Sequence, residues 1–186
     1  YAVTHSIGGM VIGLAPSNRH VVRCLSVGAQ YAYWPDYAAA ARRSMWMRWH
    51  LLMPVLTALF GYFPAKFLGW REDLPAGAAY EWAFRGERLG GARGARPNDL
   101  ANFRGMTADI LAIGISDDDF GTPEAINRLL TYFENSRPHQ ISITPSDIGL
   151  TSIGHFAYFH EKFRDTLWCD SLCWLADGEI TFRFQK

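Results

Sequence analysis

The chain has 186 residues, 49% hydrophobic and 15% aromatic, which suits a folded domain with a real core and excludes a disordered chain. Eighteen Lys and Arg balance eighteen Asp and Glu, so the net charge is zero, against the basic excess that a nucleic-acid partner needs. Cys24, Cys169 and Cys173 form neither a disulfide framework nor, with nearby His, a metal-ligand cluster, and the expectation is reduced thiols in a cytoplasmic protein with no metal or cofactor.

Tyr1 to Val3 reads as the end of a buried strand. Ser6 follows at once, then Gly8 and Gly9, then the apolar segment Met10 to Leu14 as a short helix. Strand, serine, paired glycines and helix in that order meet the needs of a nucleophile elbow, where the serine sits on a tight turn with unfavourable backbone angles. The pattern is G-x-S-x-G with Thr4 in place of the first glycine. The backbone N–H of Ile7, at the helix start, is aimed at negative charge forming on a bound acyl group. A strand and candidate nucleophile this early leave no preceding strands for a parallel sheet, so the expectation is the C-terminal part of a longer protein.

Ala15-Pro16-Ser17-Asn18 closes the helix, and His20 to Val27 is a strand whose apolar run suits burial on both faces. Gly28-Ala29-Gln30 ends it. This β-α-β order predicts a parallel sheet.

Residues 31–100 change character. Tyr31, Tyr33, Trp34 and Tyr37 open an aromatic cluster, Ala38 to Arg43 favours helix, and Met45 to Trp70 is strongly apolar. The uncharged run Leu51 to Ala65 is shorter than the roughly 20 residues of a membrane span, and Pro54 and Pro64 interrupt it. A buried helical pair is expected here, with peripheral lipid contact as the lesser alternative. Glu81 to Phe84 is a short helix, and Gly86 to Pro97, with Gly90, Gly91 and Gly94, a flexible connection.

Met106 to Ile115 is the next strand, running into Ser116-Asp117-Asp118-Asp119-Phe120-Gly121. Thr122 caps a helix with Pro123 at its first position and Ile126, Leu129, Leu130 and Phe133 along it. His139 to Ile143 is a short strand. The loop Thr144 to Gly154 leads to His155, and a last helix from Glu161 carries Phe163, Leu167 and Leu172 on one stripe, with Cys169 and Cys173 packed at i, i+4.

A serine hydroxyl is a poor nucleophile until a base takes its proton, and the base, a histidine, needs an acid to fix its tautomer. Two strand-exit loops qualify to supply them: the acidic turn after residues 110–115 and the loop ending at Gly154-His155-Phe156. The order is Ser, Asp, His, with the acid one of Asp117, Asp118 and Asp119. Among the other histidines, His5 is expected to pack under the elbow, His20 and His139 to begin strands, and His160 to lie on the surface.

With these motifs in order, the chain resembles the C-terminal portion of an α/β-hydrolase-fold protein of the serine hydrolase type. Thr4-His5-Ser6-Ile7-Gly8-Gly9 is similar to that family's G-H-S-x-G-G elbow, Ile115 to Phe120 to its acid turn, and Gly154-His155-Phe156 to its histidine loop. The resemblance implies a mostly parallel α/β sheet with flanking helices, formed by residues 1–30 and 101–186, and a helical cap at 31–100. It also implies Ser6 as nucleophile, His155 as base, Asp118 as acid ahead of its two neighbours, and Ile7 in the oxyanion hole. The second oxyanion donor is expected upstream of the elbow. Trp34, His50 and Phe156 are the expected substrate-binding residues. The implied reaction is hydrolysis of an ester-like bond in an apolar small-molecule or lipid-like substrate. An acyltransferase on the same triad, or a non-catalytic binding protein of this fold, are the alternatives.

Overall fold

The computed structural model describes residues 1–69, 72–89 and 96–182. In chain order, β1 (Ala2–His5), α1 (Gly8–Leu14) and β2 (Arg23–Val27) form a β-α-β unit. Then come α2 (Arg42–Met47), α3 (Met53–Phe60), the two-residue strands β3 (Tyr62–Phe63) and β4 (Leu74–Pro75), and α4 (Ala76–Ala83). The chain continues through α5 (Asp99–Gly105), β5 (Asp109–Ile115), α6 (Pro123–Leu130), β6 (Arg137–Ile143) and α7 (Cys169–Asp177). It divides into two compact units, Tyr1–Tyr31 with Asn98–Lys186, and Ala32–Pro97.

The first unit is built on a four-stranded, all-parallel sheet in the order β1-β2-β5-β6. Alternation along the strands assigns its two faces. Leu25, Val27, Leu111, Ile113, Ile115 and Ile143 cluster with Tyr158, Phe163, Leu167 and Trp174 of the C-terminal segment. The opposite face meets α1 and α6. A Cβ on Gly114 would sit 3.2 Å from Ile126, and one on Gly9 would sit 2.6 Å from Ala29 and 2.9 Å from Leu129, so α1 comes this close to α6 and to the turn after β2 only because Gly9 lacks a side chain. Helix α6 starts as its residues dictate. Thr122 Oγ1 accepts from the Ala125 N–H, Pro123 needs no partner at the first position, and Ile126, Leu129 and Leu130 turn inward.

Three expectations shift. The second strand begins at Arg23, because Pro16–His20 closes as a 3₁₀ turn held by the Asn18 side chain, so His20 is exposed and outside the sheet. The fourth begins at Arg137 and takes in Pro138, which an edge strand tolerates. In the C-terminal segment a wide π turn over Arg164–Trp168 inserts one residue before α7. That rotates the stripe, so Phe163, Leu167, Ser171 and Trp174 face inward, while Leu172 and both Cys169 and Cys173 are exposed.

In the second unit, α2 and α3 are joined by another wide π turn, Arg48–Leu52, into one continuous helical run. Met45, Trp49, Met53 and Thr57, each four residues apart, make its buried stripe, and Trp49 stacks on Trp82 of α4 at 5.0 Å. The expected buried pair is therefore buried along one side only, and Leu51, Val55, Leu59 and Phe60 are exposed. Helix α4 extends back to Ala76 through alanines that favour helix. The glycines Gly90, Gly91 and Gly94, expected to make a flexible connection, lie outside the described residues. Among the described residues no helix is long and apolar enough to cross a membrane.

Candidate active site

The carboxyl ends of parallel strands gather loops at one sheet edge. Ser6 is the first residue beyond β1, and its N–H still donates to Val27 O at 3.2 Å, continuing the β1–β2 ladder. Its φ is +52°, a left-handed conformation that a non-glycine residue adopts only under constraint. Ile7 then opens α1, its carbonyl accepting from the N–H groups of Met10 and Val11. The departure at Thr4 has a local explanation. Thr4 pairs with Ser26 across the sheet, and its buried hydroxyl donates to Ser26 Oγ at 3.1 Å.

The acidic turn after β5 is fixed at both ends. Ser116 N–H donates to Ile143 O, and Asp118 N–H donates to Ile115 O, both at 3.0 Å. Of the three acids, Asp118 points inward and its side chain is fully buried. Its Oδ1 accepts from the Phe120 N–H at 2.9 Å, and its Oδ2 meets His155 Nδ1 at 2.7 Å. A carboxylate only accepts, so Nδ1 carries the ring proton and Nε2 presents a lone pair. Ser6 Oγ lies 2.8 Å from that Nε2. Serine, imidazole and carboxylate are thus joined in one chain of two hydrogen bonds. The turn has no slack around it. A Cβ on Gly121 would sit 2.5 Å from Asp118 Oδ2, and one on Gly28 would sit 3.1 Å from the same atom and 3.4 Å from His155 Nδ1.

His155 follows Gly154, whose φ of +65° suits glycine. Its ring is flanked by Phe120 at 5.2 Å, Phe156 at 4.8 Å and His5 at 4.8 Å. His5 lies beside the histidine rather than simply beneath the elbow. Its Nε2 donates to the His155 backbone carbonyl at 2.7 Å. Burial lowers its pKa, working against the hydrogen bond to His155, which raises it. Asp119 is exposed, whereas Asp117 is engaged although it lies at the surface. Its Oδ2 accepts from Ser152 Oγ at 2.7 Å and Ile153 N–H at 3.0 Å, and its Oδ1 accepts from Gly154 N–H at 2.9 Å. Desolvation raises the Asp117 pKa, but these bonds together outweigh it and hold the carboxyl below the ordinary aspartate range.

Of the expected substrate-binding residues, Phe156 lies edge-on against His155 and is half exposed. Trp34 and His50 belong to the other unit, where their rings lie 6.4 Å apart. Among the described residues no group of three or more His, Cys, Asp or Glu is placed to hold a metal ion. Sequence reasoning passed over two features, the Asp117 bonds to residues 152–154 and the His5 bond to His155. A serine three positions before His155 and an acid immediately before Asp118 were the only signals for the first.

No protein-family model matches the chain, and no curated protein matches it. Solved structures of similar fold do. A carboxylesterase structure from the ammonia-oxidizing thaumarchaeon Nitrososphaera gargenis is 14% identical, covers 95% of this chain and 65% of its own, and has a TM-score of 0.48. The monoacylglycerol lipase of Paleococcus ferrophilus is 11% identical over 95% of this chain and 68% of its own, with a TM-score of 0.49. An esterase from Rhodococcus is 14% identical over 94% and 64%, with a TM-score of 0.40. The chain spans 65% of the length of the first of these. The fold is the α/β-hydrolase fold: a parallel sheet with helices on both faces, a serine on a left-handed elbow, and acid and histidine on later strand-exit loops.

Proposed function

We propose that the chain carries the catalytic triad of a serine hydrolase that cleaves an ester-like bond through an acyl-enzyme on Ser6. The observation that carries this reading is the relay from Ser6 Oγ to His155 Nε2 at 2.8 Å and from His155 Nδ1 to Asp118 Oδ2 at 2.7 Å. Both contacts are within the reach that proton transfer needs, which also favours catalysis over a binding role for this site.

In the first half-reaction Ser6 Oγ attacks the acyl carbon while its proton passes to His155 Nε2, and Asp118 stabilises the imidazolium. The carbonyl oxygen becomes an oxyanion, and the Ile7 N–H supplies one of its donors. Collapse breaks the bond to the alkoxy oxygen, which leaves with the proton from Nε2. In the second half-reaction water adds to the acyl carbon as it passes a proton to Nε2, and collapse releases the carboxylic acid while Nε2 returns that proton to Ser6 Oγ. Phe156 and Phe120 beside the imidazole favour an apolar group on the substrate. The second unit, which carries Trp34 and His50, is read as the helical cap that the resemblance implies.

Labelling with a fluorophosphonate probe tests the proposal. The expected result is covalent modification of Ser6, abolished in Ser6→Ala and in His155→Ala, together with turnover of short-chain nitrophenyl esters. A folded protein that stays unlabelled overturns it.

A further inference from the structure

His155 lies twelve residues beyond Ile143, the last residue paired in β6, so the sheet ladder does not fix its place. Something else must hold an imidazole within bonding distance of both Ser6 and Asp118. The turn after β5 presents two consecutive carboxylates, and each takes a different part of the histidine loop. Asp118 takes the ring nitrogen. Asp117 takes the main chain immediately before the ring, at Ile153 and Gly154, and the side chain of Ser152.

We infer that Asp117 is a positioning residue that ties the backbone ahead of His155 to the same short turn that holds its ring. The inference rests on the hydrolase reading above. Ring and backbone are both referred to one rigid pair of residues, and that pair is anchored to the sheet through Ile115 and Ile143. Motion in residues 144–151 is thereby decoupled from the Nδ1–Oδ2 distance. The bonds also require the charged carboxylate. Both oxygens accept, one of them twice, and an amide in this place would turn an N–H toward an N–H. The depressed Asp117 pKa agrees with a carboxylate held ionised by its donors.

The test compares Asp117→Asn with Asp119→Asn, which removes the same charge two residues away from an exposed side chain, and with Ser152→Ala, which removes one of the three bonds and no charge. Two quantities are read: the kcat and KM for a nitrophenyl ester, and the NMR resonances of the His155 imidazole. Asp117→Asn is expected to lower kcat by about 10- to 100-fold, the scale of a misplaced catalytic group, with KM little changed. Its His155 imidazole resonances move from their wild-type positions. Ser152→Ala shifts both quantities the same way by less, and Asp119→Asn leaves them at wild-type values. If Asp117→Asn does not fold, Ser152→Ala carries the test alone. Equal kcat and equal His155 resonances in the 117 and 119 variants, with wild-type activity intact, overturn the inference but not the hydrolase reading. An unlabelled, inactive wild-type protein overturns the hydrolase reading and the inference with it, and is recognised by the wild-type control alone.

Discussion

Ser6 and His155 meet at 2.8 Å, yet they reach that contact by different means. Ser6 is one residue beyond a paired strand, and its own N–H still belongs to the ladder. Its position is set by backbone hydrogen bonds and by a strained φ that the strand and helix on either side impose. His155 has no such support. It depends on Asp118 at the ring, Asp117 at the preceding backbone and His5 at its own carbonyl. Groups near the sheet are placed by regular structure, whereas groups far along a loop are placed by side chains. Beside the elbow, Gly8, unlike the closely packed Gly9, should therefore tolerate a substitution that the supports of the histidine do not.

The largest effect expected is at the turn serving the loop. Gly121→Ala puts a methyl group 2.5 Å from Asp118 Oδ2 and 3.1 Å from Gly28 Cα, both inside ordinary contact. Asp118 must move, and the imidazole with it. We expect a loss of about 100-fold or more in kcat and a destabilisation of ~1–3 kcal/mol, measured by ester turnover and urea unfolding. Gly8→Ala near the elbow provides the contrast. Its Cβ would meet only Thr4 Cβ at 3.5 Å, an ordinary contact, so kcat should stay near wild type.

The same contrast explains what the sequence disclosed. The elbow was legible because its requirements are local: a strand end, a serine, two glycines and a helix within ten residues. The cap of α6 was legible for the same reason, since Thr122 and Pro123 satisfy the helix start by themselves. Choosing Asp118 among three consecutive acids needed a family pattern, because the inward carboxylate packs against Gly28 and Gly121, one of them ninety residues away in sequence. The Asp117 bonds were invisible because they join residues 35 to 37 apart. The exposed Leu172 was misread because a π turn changes the helical phase, and no residue type announces one.

A smaller effect is expected at His5, which touches the loop from the strand side. His5→Phe keeps a ring among His155, Phe156 and Phe159 but deletes the Nε2 donor. Losing one hydrogen bond of ~1 kcal/mol corresponds to about a five-fold drop in kcat, and His5→Gln, which offers an amide N–H in its place, should recover part of it. The two variants also differ from wild type in pH dependence. Burial lowers the His5 pKa below the ordinary 6.5, so in the window beneath that value the unfolded chain holds the proton that the folded chain refuses. Its contribution to stability is full above 6.5 and is lost as pH falls through that window. Urea midpoints of wild type should decline more between neutral pH and pH 5 than those of either variant. Parallel declines in all three would remove His5 from the account.

The smallest effect tests the elbow side directly. Thr4 departs from the glycine of the pattern, and two explanations compete: it strains the turn, or it supports the strand. The buried hydrogen bond to Ser26, across the registered pair, favours support. Thr4→Val keeps the shape and leaves the Ser26 hydroxyl without that donor, at a cost of ~1 kcal/mol. Thr4→Gly restores the pattern but loses the same bond and adds the entropy of a strand glycine, a further ~0.5–1 kcal/mol. If Thr4 strained the elbow, Thr4→Gly would raise kcat. If it supports the strand, kcat stays level while stability falls. The double variant Thr4→Val with Ser26→Ala decides between a true bond and mere packing. Removing both partners leaves no unsatisfied hydroxyl, so the double variant should be more stable than Thr4→Val alone. Strictly additive losses would mean that the two hydroxyls contribute independently and that the departure from the pattern has some other cause.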